Sequence, residues 1–394
     1  MFAWLTNRPE RIWSIFRPSV GRYRFIRCAN VDKKTWKWRC RSRKTSNYGN
    51  PMTSRELVIK TLNHEPIPRI PRDLWLPAGE ESIPTEALAE LNIRYPSDIV
   101  QPEVVPIAGK KSQHKPNKGG DFTDVWGCVW HVAPQEKSPA ELQLKLSPLA
   151  ENDKIASYQP PTELLDRSRF AKVNKGCHAT NRFVLAWSEA RPFDRLRFLR
   201  GNDAALVDLA RGTKNIRGLL AMIHDLACKE IELWAETDVD GVVFRDDWGT
   251  ADGMLIASEM WREIFRPLYR DYCKILHAKD KFVFFHSDGN FYDIFSDLIK
   301  LGIDAIHSQM HLMDVERMAK RYRGRVTFWG EMDRRKLHEP GSAEEFRKAV
   351  LAVRKALDFG SGGVIAQCGW EPGMDIKTVA AFYEQWLVQV PMHA

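Results

Sequence analysis

The sequence predicts an α/β fold, a (β/α)8 TIM barrel with an elaborated N-terminal region. Three observations carry that prediction. From about residue 181 onward, short apolar runs alternate with helical patterns, the rhythm of parallel strands joined by right-handed crossovers. Runs such as Val283-Phe284-Phe285 are continuously apolar, as expected of strands covered on both faces. Polar, metal-capable side chains directly follow these runs, and (β/α)8 enzymes keep their chemistry at the C-terminal ends of the barrel strands. No Gly-x-Gly-x-x-Gly follows a strand and no Gly-x-x-x-x-Gly-Lys-Ser/Thr is present, so open nucleotide-binding sheets lose support.

Taken in order, the chain divides at about residue 52. Residues 1–51 hold 13 Lys/Arg and 2 Asp/Glu, mixed with Trp and without helical period. This segment is expected to be a disordered basic tail or an over-extended start, with Met52 as the natural beginning. Thr53-Ser-Arg-Glu56 is a capping box opening a helix to about Leu62. Three prolines (Pro66, Pro68, Pro71) lead into a short strand at Asp73–Leu76, and roughly 77–165 reads as an elaboration on the first barrel unit. Within it, Asp121–Trp130 reads as a strand or hairpin, and Pro134–Pro161 as loops with one short helix.

The regular part follows. Phe183–Trp187 is a strand, then helical patterns run near 202–211 and 215–236. Gly241–Phe244 is a strand ending at Arg245-Asp246-Asp247-Trp248, followed by a helix over 258–277. Phe282–Phe285 ends at His286, Ala305–Ile306 at His307, Val326–Trp329 at Glu331 and Asp333, and Val364–Ala366 at Cys368. The intervening helices are expected at 292–301, 315–321 and 344–358, the third behind a second capping box at Ser342–Glu345, with a final helix at 377–388.

Composition bounds the function. The net charge of +8 belongs to the N-terminal segment, because 52–394 keeps 46 Lys/Arg against 49 Asp/Glu. The main body therefore has no electrostatic footprint for nucleic acid. No apolar stretch reaches the roughly 18 residues of a spanning helix. Seven cysteines, an odd number without a Cys-x-x-Cys pair, suit a reducing, cytoplasmic environment.

If the barrel closes, Asp246, Asp247, His286, Asp288, His307, Glu331, Asp333 and Cys368 converge on one mouth. His286 and Asp288 stand at i, i+2 and share a side in extended chain, and Gly289 permits a sharp exit turn. His286, Cys368 and one carboxylate, Asp288 or Glu331, supply the three protein ligands of a catalytic Zn²⁺ site with an open position. Asp246 and Asp247 read as a general base or substrate orienter, or as a solvated turn. Their mutual repulsion would raise one pKa. Trp75, Trp126, Trp130, Trp187, Trp248, Trp329 and Trp370 lie near strand ends, as walls for a flat ligand or as core packing.

These residues resemble the uroporphyrinogen decarboxylase-like superfamily. The likeness lies in Met52-Thr-Ser-Arg-Glu-Leu-Val-Ile-Lys-Thr-Leu-Asn-His-Glu-Pro66, Pro68-Arg-Ile-Pro71, Phe244-Arg-Asp-Asp-Trp-Gly-Thr250, Glu259-Met-Trp-Arg-Glu-Ile-Phe-Arg-Pro267, Phe285-His-Ser-Asp-Gly-Asn290 and Phe328-Trp-Gly-Glu-Met-Asp333. It spans about 52–390 as one domain and implies a (β/α)8 barrel. Uroporphyrinogen decarboxylases carry an Arg-Gln-Ala-Gly-Arg type motif after the first strand. Here Arg72-Asp-Leu-Trp-Leu-Pro-Ala-Gly-Glu80 stands in its place without the arginine pair. The corrinoid-linked methyltransferase branch binds zinc through His-x-Cys and a distant Cys. His286 and Cys368 match two of those ligands, and Asp288 stands where the first cysteine would be. The resemblance thus implies a metal-dependent methyltransferase working with a corrinoid carried on a partner protein, in which zinc lowers the pKa of an acceptor thiol. A carboxy-lyase acting on a tetrapyrrole or other carboxylated substrate is the second reading, and a non-catalytic corrinoid- or partner-binding subunit the third.

Overall fold

The structure is a computed structural model that describes residues 52–76, 85–106, 120–133, 141–331, 342–370 and 376–387. The segment 1–51 and Asp333 lie outside the described residues.

Helix α1 (Ser54–Leu62) starts at the predicted capping box: the Thr53 hydroxyl accepts from the Glu56 N–H, and the Glu56 carboxylate accepts from the Thr53 N–H. Strand β1 (Arg72–Trp75), helix α2 (Thr85–Arg94) and strand β2 (Ile99–Val100) follow. An antiparallel three-stranded sheet then forms from β3 (Asp121–Thr123), β4 (Val129–Ala133) and β5 (Glu141–Leu146). After a short α3 (Val173–His178) comes β6 (Phe183–Trp187), then α4 (Pro192–Arg200), α5 (Asn202–Arg211) and α6 (Lys214–Ala235). The remaining units are β7 (Gly241–Arg245), α7 (Ser258–Ile264), α8 (Arg266–His277), β8 (Phe282–Ser287), α9 (Tyr292–Lys300), β9 (Ala305–Gln309), α10 (Val315–Tyr322), β10 (Thr327–Glu331), α11 (Ser342–Leu357), β11 (Val364–Gly369) and α12 (Ile376–Leu387).

Eight parallel strands make the barrel, in the order β1-β11-β10-β9-β8-β7-β6-β2. This is the predicted (β/α)8 fold. Period-2 alternation sorts the side chains. Ile99, Phe183, Leu185, Val243, Phe284, Ala305, Trp329 and Ile365 fill the interior, joined from α1 by Val58 and Leu62. Val184, Val242, Phe244, Phe285, Phe328, Val364, Ala366 and Cys368 face the helices. Between β1 and β2 the ring is closed by Asp98 rather than by a continuous ladder. Its backbone N–H donates to Arg72 O at 2.8 Å, and its carboxylate accepts from the Arg72 N–H at 2.8 Å.

Several elements differ from the sequence reading. Barrel strand β2 lies inside the stretch read as elaboration, and its two residues are too few for a periodic signal. Strand β5 lies where loops were expected. On its apolar face Leu142 and Leu146 are exposed and only Leu144 packs against the core. Helices α2, α3 and α4 were not anticipated. The helix expected over 258–277 breaks into α7 and α8 just before Pro267, which has no N–H to donate. No helix among the described residues is long and apolar enough to cross a membrane.

Candidate metal and ligand site

Strands β7 and β8 run in register, with Arg245 opposite His286, and both side chains turn inward at the barrel mouth. The loops beyond them are stitched together. Asp247 accepts from the Asp288 N–H at 3.0 Å, Trp248 N–H donates to Ser287 Oγ at 3.1 Å, and Asn290 N–H donates to Thr250 O at 2.7 Å. Gly289, at φ +77°, has its N–H on Gln309 Oε1 at 2.9 Å. This stitching gathers Asp247, His286 and Asp288, whose ligand atoms all lie within 4.8 Å of one another. His286 Nε2 is 3.9 Å from an oxygen of each carboxylate.

The hydrogen bonds behind His286 fix which nitrogen faces the acids. Gln367 Oε1 lies 3.1 Å from His307 Nε2, and an amide oxygen can only accept, so that nitrogen carries the proton. His307 Nδ1 then accepts from His286 Nδ1–H across 2.9 Å. His286 Nε2 faces the two carboxylates, the arrangement of a metal-ligating histidine held by a partner behind it. Trp75 stacks on His307 at 4.4 Å and 19° and holds its ring plane.

Asp247 and Asp288 are half-exposed at the rim, whereas His286 also lines a cavity of about 800 Å³ leading into the barrel. Trp75, Trp187 and Trp329 wall that cavity; Trp75 packs edge-on with each of the other two, which are tilted against one another. Asp73 lies at its inner end. Both the Trp75 and Trp329 indole N–H groups donate to it at 2.8 Å, and burial pushes its carboxyl up to about 6 against the pull of those donors. Arg191 and Arg245 also line it.

Two of the sequence-predicted residues are placed elsewhere. Cys368 occupies an outward position on β11, buried in the layer between barrel and helices, because Ile365 and Gln367 take the inward positions. The expected His286–Cys368 ligand pair is therefore not brought together. Asp246 is fully buried and turned away from the mouth. It accepts from the Phe193 and Asp194 N–H groups at 2.9 and 2.7 Å, and from the Tyr269 hydroxyl at 2.5 Å. It caps α4 and does not reach the cavity. Burial raises the carboxyls of both Asp246 and Asp194; repulsion from Asp247 adds to the rise at Asp246 against the pull of its donors, and repulsion from Asp246 and Asp247 adds to that at Asp194. Glu331 closes β10, but its side chain lies outside the described residues. His307 does reach the site, behind His286. Of the tryptophans, Trp248 is buried against Phe193, Trp370 lies in the outer core, and Trp126 and Trp130 pack around Asp124 and Arg195 in the N-terminal elaboration.

The sequence reading did not single out Gln367, Arg245, Arg191 or Asp73. The signal for the first two was parity: each stands two residues beyond an inward-facing residue of its own strand.

The donor set is one imidazole nitrogen and two carboxylate oxygens at the rim of the barrel mouth. It fits a divalent cation, and without a thiolate it accommodates Mn²⁺ or Fe²⁺ as readily as Zn²⁺.

Comparison with known proteins gives the following. Residues 192–386 match the family model described as uroporphyrinogen decarboxylase (URO-D). A methyltransferase from Methanosarcina mazei superposes with a TM-score of 0.59 at 14% identity, over 85% of this chain and 98% of that one. A glycosylated endo-beta-1,4-xylanase of glycoside hydrolase family 10 from Gloeophyllum trabeum gives 0.43 at 9%, over 86% and 100%. No curated protein matches the sequence significantly.

Proposed function

We propose, for a chain that carries a URO-D domain over residues 192–386, metal-dependent methyl transfer between a small molecule and a corrinoid carried by a partner protein. One observation carries the reading: Asp247, His286 and Asp288 converge at the mouth of a barrel cavity, with His286 Nε2 facing both carboxylates. The likeness in fold to a protein described as a methyltransferase supports it. A cation held there would act as a Lewis acid toward a donor atom of the methyl acceptor. The chain's own residues do the rest. His307 and Gln367 orient His286, the Asp288 N–H steadies Asp247, and the tryptophan wall keeps water from one side of the reacting group.

A carboxy-lyase is the second reading, and Asp73 favours it. A buried acid raised to about 6 at the inner end of the cavity is placed to return a proton to a carbanion after decarboxylation.

Elemental analysis of the full chain, reconstituted separately with Zn²⁺, Mn²⁺ and Fe²⁺, tests the first reading. We expect one ion per chain, lost in His286→Ala and Asp288→Ala and retained in Cys368→Ala. Methylcobalamin demethylation in the presence of small thiols should follow the same pattern. Absence of bound ion after all three reconstitutions overturns the metal reading. Loss of the ion in Cys368→Ala would restore the ligand set expected from sequence. Decarboxylation by metal-free chain, abolished by Asp73→Asn, would establish the lyase.

A further inference from the structure

The cavity beside His286 is lined by two guanidinium groups that have no salt-bridge partner among the described residues, although the buried Asp194 acts on Arg191 at longer range. Arg245 projects inward at the end of β7, next to His286 on the adjacent strand, with its guanidinium carbon 5.7 Å from the Trp187 ring centroid. Arg191 enters from the loop between β6 and α4. The buried Nε of each lacks a hydrogen-bond partner, and among the described residues neither guanidinium forms an ion pair.

Two buried arginines nearby do have acidic partners. Arg195 is paired with Asp124 and Glu189, and Arg200 with Asp208. The acids in the same cavity do not cancel the two charges. Glu189 is engaged by Arg195, and burial moves Asp73 toward its neutral form. Partly desolvated cations that lack counter-charges are costly in an empty cavity and become favourable when an anion fills it. The planar fork of arginine suits an oxyanion in particular. Trp187 and Trp75, which line the same space, offer faces and edges to a flat apolar body.

We infer that Arg245 and Arg191 form the recognition subsite for a small organic oxyanion, a carboxylate or phosphonate-like group on a flat apolar body, whose other end reaches His286. This rests on the proposed function only in taking the cavity as the substrate site, and it assigns the substrate class.

Titration calorimetry on the full chain in the presence of EDTA tests the subsite without metal. The probes are benzoate, phenylphosphonate and the neutral isostere benzamide. We expect at least one of the two anions to bind about tenfold or more tightly than benzamide. That preference should be lost in Arg245→Gln, weakened in Arg191→Gln and kept in Cys368→Ala, whose side chain lies outside the cavity in the layer between barrel and helices. The tighter of the two anions identifies the oxyanion. Ligand-induced change in tryptophan fluorescence should track the calorimetric isotherm, because Trp187 borders Arg245. Equal binding of benzamide and both anions, or an undiminished preference in Arg245→Gln with unchanged circular dichroism, overturns the inference. Because the calorimetry is run in EDTA and the metal reading is tested by elemental analysis, failure of the subsite and failure of the metal reading are separable.

Discussion

Gln367 decides which nitrogen of His286 meets the carboxylates, although it touches neither. Its amide oxygen orders the two imidazoles through a chain of 3.1 and 2.9 Å hydrogen bonds. Loss of such a supporting partner typically costs a metal site 10–100-fold in affinity. We therefore expect Gln367→Leu to weaken metal binding by about that factor, and Gln367→Glu, whose carboxylate also only accepts, to retain most of it. Competition against a fluorescent chelator measures both. Equal affinity in wild type and Gln367→Leu would show that His286 needs no ordering from behind. At this scale the sequence was partly legible. His286, Asp288 and Asp247 stood out because each follows an apolar run. Cys368 stood out for the same reason, yet position after a strand says nothing about which face a side chain takes. The register of β11 decides that, and it turns Gln367 inward and Cys368 toward the helices. Asp246 and Asp247 are neighbours in sequence with opposite fates for the same reason: one is a buried cap, the other a rim carboxylate.

The elements that build the site are the two loops after β7 and β8, and they approach so closely that no side chain fits between them. A Cβ on Gly289 would fall inside the backbone of Gly249, and one on Gly249 inside that of Asn290. Gly289 also needs its positive φ of +77° to turn the chain. Gly289→Ala should therefore cost more than about 1 kcal/mol of stability and push the Asp288 loop away from Asp247. The expected readout is a lower melting temperature together with loss of metal binding. A variant that melts lower but binds metal normally would show that the loop spacing is structural only. The turn at Gly289 was visible in the sequence from its place behind His-x-Asp. The partner glycine was not, because contact between two loops leaves no mark on either one's local pattern. Strand β2 escaped for a related reason. Two residues carry no period, and their barrel position is set by pairing to β6 rather than by their own composition.

For the molecule as a whole, the weak point of an eight-stranded ring is the seam where its first two strands meet. Here Ser97 Oγ bridges it with two long hydrogen bonds to the backbone of Arg72 and Leu74, and the buried carboxylate of Asp98 makes the shorter ones. Asp98 is fully buried and accepts from Arg72 N–H, from both terminal nitrogens of Arg69 at 2.7 and 2.6 Å, and from Ser54 Oγ at 2.6 Å. It thereby ties β1, the start of β2 and the helix that plugs the barrel floor into one network. Removing a buried charge from such a network leaves the partner guanidinium and the freed donors uncompensated, which typically costs about 3–5 kcal/mol. Asp98→Ala is thus expected to lower the melting temperature by an amount on the order of 5–10 °C. It should also raise hydrogen exchange selectively at Arg72. Arg69→Ala should cost less, because Arg69 is 30% exposed and water can replace it. The consequence reaches the site, since β1 carries both Asp73 and Trp75, which set the inner end and the wall of the cavity. If Asp98→Ala opens the seam, it should weaken oxyanion binding beside Arg245 while leaving the metal cluster on β7 and β8 intact. Loss of both together would instead mean that the ring unfolds as a single unit, with no locally separable seam.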